Sequence, residues 1–201
     1  LHCLIFLNAQ QRNCGTMQHF EYQKTQDYQL ENRMLQNESI IQNWIQDSSM
    51  PESLNSTVVT IPVVVHIVYN NSTENISTAQ IQSQIDILNE DFRRLNTDAF
   101  NTPSTFQAVA VDCEIEFCLA NTDPNGNSTT GITRTATSQS SFSTNDGVKY
   151  SSSGGIDAWN TSEYLNIWVC DISGSILGYA QFPGGNASSD GIVCDYAYFG
   201  N

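Results

Sequence analysis

Histidine is nearly missing from this chain: 201 residues hold three, His2, His19 and His66. No H-E-x-x-H occurs, so no helix of this sequence presents a zinc-binding histidine pair beside a general base. His66 lies in the apolar run VVTIPVVVHIVY, a setting for a structural histidine and not for the base of a Ser-His-Asp arrangement. Basic residues are few as well. Seven Lys and Arg face 21 Asp and Glu, a formal charge of −14. Phosphate repulsion at that balance argues against nucleic acid as a partner. There is no phosphate-cradling glycine loop, and no apolar run long enough for a membrane span.

What is present suits one folded domain with an N-terminal accessory segment: 39% of residues are hydrophobic and 10% aromatic, on a chain long enough to bury a core. Leu4-Ile5-Phe6-Leu7 followed by Asn8-Ala9-Gln10 reads as the tail of a secretory signal peptide, so residues 1–10 are expected to be a leader remnant and the protein to be secreted and extracellular. Eight N-x-S/T sequons, beginning at Asn37, Asn55, Asn70, Asn71, Asn75, Asn127, Asn160 and Asn186, are mostly chance in so Asn- and Ser-rich a chain.

Removing Cys3 with the leader leaves Cys14, Cys113, Cys118, Cys170 and Cys194. An odd number in an oxidising compartment implies one unpaired or liganded thiol. Cys113 and Cys118 should point to opposite faces of one strand, which argues against their mutual pairing. Cys170 and Cys194 are available partners. The connectivity of these four stays open, as does the alternative that all are reduced core residues.

Apolar spacings at Leu30, Met34, Leu35, Ile41, Trp44 and Ile45 predict one or two amphipathic helices between Glu21 and Asp47, and Ser48 to Thr57 reads as a linker. Val58 to Tyr69 predicts a strand buried on both faces, with Pro62 needing a bulge or an edge position. Ser77 and Gln80 fit a capping box ahead of the stripe Ile81, Ile85, Leu88, Phe92 and Leu95, while Arg93 and Arg94 sit on its polar side. Strands follow at 113–120 and 131–137, in a pair around Asp171-Ile172-Ser173-Gly174, and at 191–199; Ser138 to Asn160 reads as a long polar loop. Glu114 and Glu116 share a strand face, a pattern produced by acid–base pairs and by solvent-facing edges alike. Asp123-Pro124-Asn125-Gly126-Asn127 has a calcium-loop opening but no glycine at the sixth position and no glutamate at the twelfth, so a tight turn is expected and calcium is only a secondary candidate. The sum is an α/β (α+β) domain, a sheet with a helix behind it.

Six segments also resemble, in order, the pappalysin family of secreted metalloendopeptidases: IPVVVHIVYN, ISTAQIQSQIDILNEDFRRLN, DPNGNSTTGITR, SSGGIDAWN, YLNIWVCDISGSILGYAQFPGG and DGIVCDYAYFG. They cover most of residues 61–200, and the run ending in AQFPGG is the most specific. The resemblance implies a helical pro-segment and linker at 11–56. At 57–201 it implies the upper subdomain of a metzincin-like catalytic domain, a twisted mixed sheet with a backing helix. The zinc helix, with its histidines and general-base glutamate, would follow Asn201. It thus implies a secreted zinc-dependent metalloendopeptidase zymogen acting on protein or peptide substrates, of which this stretch alone is inactive. Arg12-Asn13-Cys14-Gly15-Thr16 resembles the family's latency motif, making Cys14 a zinc ligand in the zymogen. Leu177, Gly178, Tyr179, Ala180 and Gln181 would form the rim strand that binds substrate as an added antiparallel strand. The competing expectation is an exported peptide-binding or adhesive α/β module that uses the same edge without zinc.

Overall fold

In the computed structural model, residues 13–47 and 58–200 are described; the leader remnant, Arg12 and the linker 48–57 lie outside the described residues. Along the chain run β1 (Asn13–Cys14), α1 (Thr16–Gln26), α2 (Leu30–Gln46), β2 (Val59–Tyr69), α3 (Thr78–Phe92), β3 (Ile115–Leu119), β4 (Ile132–Ala136), β5 (Leu165–Cys170), β6 (Ile176–Ala180) and β7 (Ile192–Asp195). These strands form one mixed sheet in the order β1-β6-β7-β5-β2-β3, with β4 also paired to β2. Every pairing is parallel except β6 with β7. The α/β architecture expected from the alternation of elements is therefore present, as a twisted mixed sheet backed by α3.

The β-branched run makes the spine. Val63 to Val68 are all buried, because β3 and β4 cover one edge of β2, β5 covers the other, and both faces are packed. Pro62 fits without a bulge. Val59 donates to Glu114 O and Val65 to Gly131 O, so the odd residues aim their N–H groups at β3 and β4. Pro62 then faces the β5 side, where pairing starts only at Val63, and the missing N–H costs no ladder bond.

On one face Val63, Val65 and Ile67 pack with Ile81 and Ile85 of α3, Phe117, Ile167 and Val169. Ser77 Oγ accepts the Gln80 N–H at 3.1 Å, half of the expected capping box; the Gln80 amide instead donates to Phe199 O at 2.8 Å. The predicted stripe is shortened. α3 ends at Phe92, Arg94 turns into the left-handed region at φ 52°, and Leu95 lies beyond the helix, 73% exposed. Arg93 is no bare solvated charge, since it clamps Asp112 at 3.0 Å and also pairs with Glu116. Glu116 is thus an ion-pair partner and not half of an acid–base pair, while Glu114 (φ 54°) precedes the strand.

The other face carries Val68, Trp168, Cys170, Tyr179 and Val193, and the supposed polar loop 138–160 covers it with Phe142 and Val148. That segment is tied down by the Phe142 N–H to Asp171 O at 2.9 Å and by Trp168 Nε1 donating to Ile156 O at 2.9 Å. His66 sits on this face, fully buried, with Nδ1 2.7 Å from Thr133 Oγ1 and Nε2 3.0 Å from Asn166 Oδ1. Burial pulls its pKa down to about 4, so it is the satisfied structural histidine expected.

Three other expectations resolve. Asp123 Oδ1 accepts the N–H groups of Asn125 and Asn127 at 2.9 and 2.8 Å, an Asx-stabilised tight turn with Gly126 at φ 82°. All described cysteines are free thiols: Cys170 is buried and Cys194 half-buried, whereas Cys113 and Cys118 are exposed and so are not core residues. The apolar side of α2 is not a core stripe either. Leu30 is buried, but Leu35, Ile41, Trp44 and Ile45 are exposed. No helix among the described residues is long and apolar enough to cross a membrane.

Candidate functional site

The motif Asn13-Cys14-Gly15-Thr16 and the strand Leu177 to Gln181, far apart in sequence, lie side by side. Cys14 is in register with Gly178, and β1 runs parallel to β6 on the edge that β7 leaves free. Asn13 N–H donates to Ser175 O at 3.3 Å and Gly15 N–H to Gly178 O at 2.8 Å. The Ala180 N–H is accepted by Thr16 Oγ1 at 3.2 Å. Each residue of the motif therefore has a physical task. Gly15 is needed for contact: a Cβ there would sit 2.8 Å from both Ile176 Cγ2 and Thr144 Cγ2, closer than packing permits.

Of the five proposed rim residues, Gly178 and Ala180 turn backbone groups to this edge. Leu177 is half-buried. Tyr179 points inward, 2% exposed, with its ring 4.7 Å from that of His19, and burial pushes its phenol pKa far up. Gln181 binds across to α1: its Oε1 accepts from Gln23 Nε2 at 2.8 Å.

The N-terminal helices are seated by polar contacts. His19 is fully buried, Nδ1 2.8 Å from Thr144 O and Nε2 3.5 Å from Asp146 Oδ2. Lys149, also fully buried, brings Nζ to 2.8 Å from Asp146 Oδ1 and donates to Ser189 O at 2.7 Å. Burial lowers the His19 pKa, with Asp146 opposing. Farther along, Arg33 Nε donates to Gly184 O at 2.7 Å and pairs with Asp27, while Phe20 meets Phe182 edge to face at 5.5 Å. The AQFPGG segment is thus where the helices attach. His19, Asp146 and Lys149 carried no functional expectation. The one available signal was a Gln23 one turn beyond His19, a polar pair that a solvated helix shows equally.

Cys14 stays exposed at the strand edge, with its Sγ 3.3 Å from Thr16 Oγ1. The Thr16 side chain and then its backbone N–H, by hydrogen bonding the thiolate, lower its pKa. Such a thiol suits one position on a zinc ion. Among the described residues no three His, Cys, Asp or Glu side chains gather around one ion position.

The arrangement defines a class: an α/β domain whose open sheet edge is occupied by its own N-terminal segment. No protein-family model and no curated protein matches the chain, but solved structures do. Mature mirolysin of Tannerella forsythia, in complex with a cleaved peptide, is 56% identical with a TM-score of 0.70, over 75% of this chain and 56% of that one. Mirolysin with a bound compound is 58% identical with a TM-score of 0.69, over 72% of this chain and 55% of that one. A promirolysin variant of the same organism is 48% identical with a TM-score of 0.80, over 94% of this chain and 61% of that one. The resemblance to the pappalysin family of metallopeptidases is borne out by these matches. The chain spans 55% to 61% of their length. The wider match to the pro-form than to the mature form fits α1 and α2 as a pro-segment ahead of a partial catalytic domain.

Proposed function

We propose that this chain is the pro-segment and upper catalytic subdomain of a secreted, zinc-dependent metalloendopeptidase zymogen that cleaves proteins or peptides. The observation that supports it best is the pairing of Asn13 and Cys14 with β6, extended by the hydrogen bonds of Gly15 and Thr16 to the same strand. An extended substrate would use the same backbone groups, Gly178 O and the Ala180 N–H, when laid on the edge as a strand. The chain's own segment runs parallel to β6 and a substrate would run antiparallel, so the segment fills the rim in the reverse direction. Cys14 would hold one zinc position, with the remaining ligands supplied by residues after Asn201. Zinc, when bound, would supply Lewis acidity and a reactive water; the thiolate of Cys14 as a fourth ligand would leave no open position for that water.

The full-length protein tests this. Cys14→Ala should lose latency while its helices stay docked, and its rate on a peptide, measured before any cleavage in Ser48 to Thr57, should exceed that of the wild type by at least about tenfold, the effect of freeing one metal position. Equal latency in the two would remove Cys14 from the metal.

A further inference from the structure

His19 fills a recess whose walls belong to the body of the protein: Thr144 O and Asp146 Oδ2 at one end, the Tyr179 ring along one side. The recess opens into a cavity of about 360 Å³ between the helices and the body, lined on the body side by Asn145, Asp146, Tyr150 and Ser189. Its acceptors are held in place. Asp146 is buried and its backbone is in the left-handed region at φ 64°, a conformation that persists where the surroundings over-determine it. Lys149 fixes the other carboxylate oxygen from below and is itself anchored on Ser189 O.

The occupant matches these walls only in part. With Nδ1–H donated to Thr144 O, a neutral imidazole turns the lone pair of Nε2 toward Asp146 Oδ2 at 3.5 Å, and Nε2 has no hydrogen-bond partner among the described residues. Nearby, Gln23 Oε1 is likewise buried with no hydrogen-bond partner among the described residues, while two acceptors, Thr144 O and Asp146 Oδ2, converge on one ring. Two convergent acceptors beside an aromatic face are the chemistry that binds a planar group with two N–H donors.

We propose that, once the pro-segment leaves, this recess is a substrate subsite that takes a guanidinium, and that His19 is the pro-segment's imperfect plug for it. This rests on the peptidase reading above. Because the segment runs parallel to β6 and a substrate antiparallel, the recess reached by residues following Cys14 receives substrate residues on the N-terminal side of the scissile bond. Asp146 is here a specificity-determining residue.

The experiment uses the activated full-length enzyme and a peptide library varied at each position flanking the cleaved bond. One position on the N-terminal side should favour Arg over Ala by roughly tenfold in kcat/KM, the discrimination one charge-assisted hydrogen bond provides. In Asp146→Asn the ratio of Arg to Ala rates at that position should collapse toward one. No such preference in the wild type, or an undiminished one in folded Asp146→Asn, overturns the proposal. A second measurement needs no variant enzyme: synthetic Asn13 to Gln26 should inhibit the wild type more tightly with His19→Arg and more weakly with His19→Ala. Equal inhibition by all three overturns it as well. If the full-length enzyme cleaves no peptide at all, the peptidase reading itself falls and takes this inference with it; cleavage without the preference sinks the inference alone.

Discussion

Between Val63 and Val68 every side chain of β2 is buried, whereas α2 leaves Leu35, Ile41, Trp44 and Ile45 more than half exposed. The sheet body is held by apolar area removed from water on both of its faces, at about 25 cal/mol per Å². The N-terminal segment is held by a two-residue strand, the buried His19, the Gln23 amide and the Arg33 guanidinium, with Leu30 as its one buried apolar side chain among the described residues. Each hydrogen bond of that kind contributes a net ~1 kcal/mol, since water competes for the same groups. An element seated this way can leave without unfolding what it sat on, which is the behaviour a removable pro-segment requires.

The largest test of that contrast removes apolar volume from the body. Trp168 is fully buried in the second core cluster, so Trp168→Ala should cost about 3–5 kcal/mol and lower the melting temperature of the whole chain. Survival of the wild-type melting point would mean that this face is not the core. Acid is the next test. The native His66 pKa of about 4 lies below the ordinary 6.5, so the folded state resists the proton that the unfolded chain accepts. Stability is complete above pH 6.5, falls as pH drops toward 4, and the total loss is roughly 3 kcal/mol. His19 shifts in the same direction, so its helix should loosen across the acid side of the ordinary histidine range as well. Denaturant melts at several pH values check this, and a pH-independent stability between 7 and 4 would contradict it.

These two tests touch what the sequence showed and what it hid. β2 and α3 were legible because periodicity and β-branching report burial directly, and His66 was read correctly from its apolar neighbours. The strand start near Cys113 was misplaced because Glu114 takes a left-handed φ, which alternation does not reveal. The 138–160 segment looked like a solvated loop, since only Phe142 and Val148 in a polar stretch enter the core. The α2 stripe was over-read: helical spacing marks an apolar face but not whether anything covers it. The His19 recess was invisible because its partners are 125 residues away in sequence, at Thr144 and beyond, and a buried polar helix face has the same spacing as a wet one. Cys14 and Gly178 were named separately from family motifs; their juxtaposition needed the fold.

The smallest expected effect sharpens the contrast from the other side. Trp44 is 56% exposed, so Trp44→Ala should change stability by no more than about 0.5 kcal/mol. A loss comparable to that of Trp168→Ala, in the same melt, would show that the outer face of α2 is covered in solution.

The central claim is that Asn13 to Thr16 occupies the edge of β6, and amide hydrogen exchange in the intact chain tests it most directly. The Ala180 N–H, accepted by Thr16 Oγ1, and the Gly15 N–H, accepted by Gly178 O, should both exchange slowly. In Gly15→Val, where the added carbons meet Ile176 and Thr144, both should speed up by about fivefold, the loss of one net hydrogen bond, with Val65 and Ile167 unchanged. An Ala180 amide that already exchanges at the unprotected rate in the wild type would contradict the account.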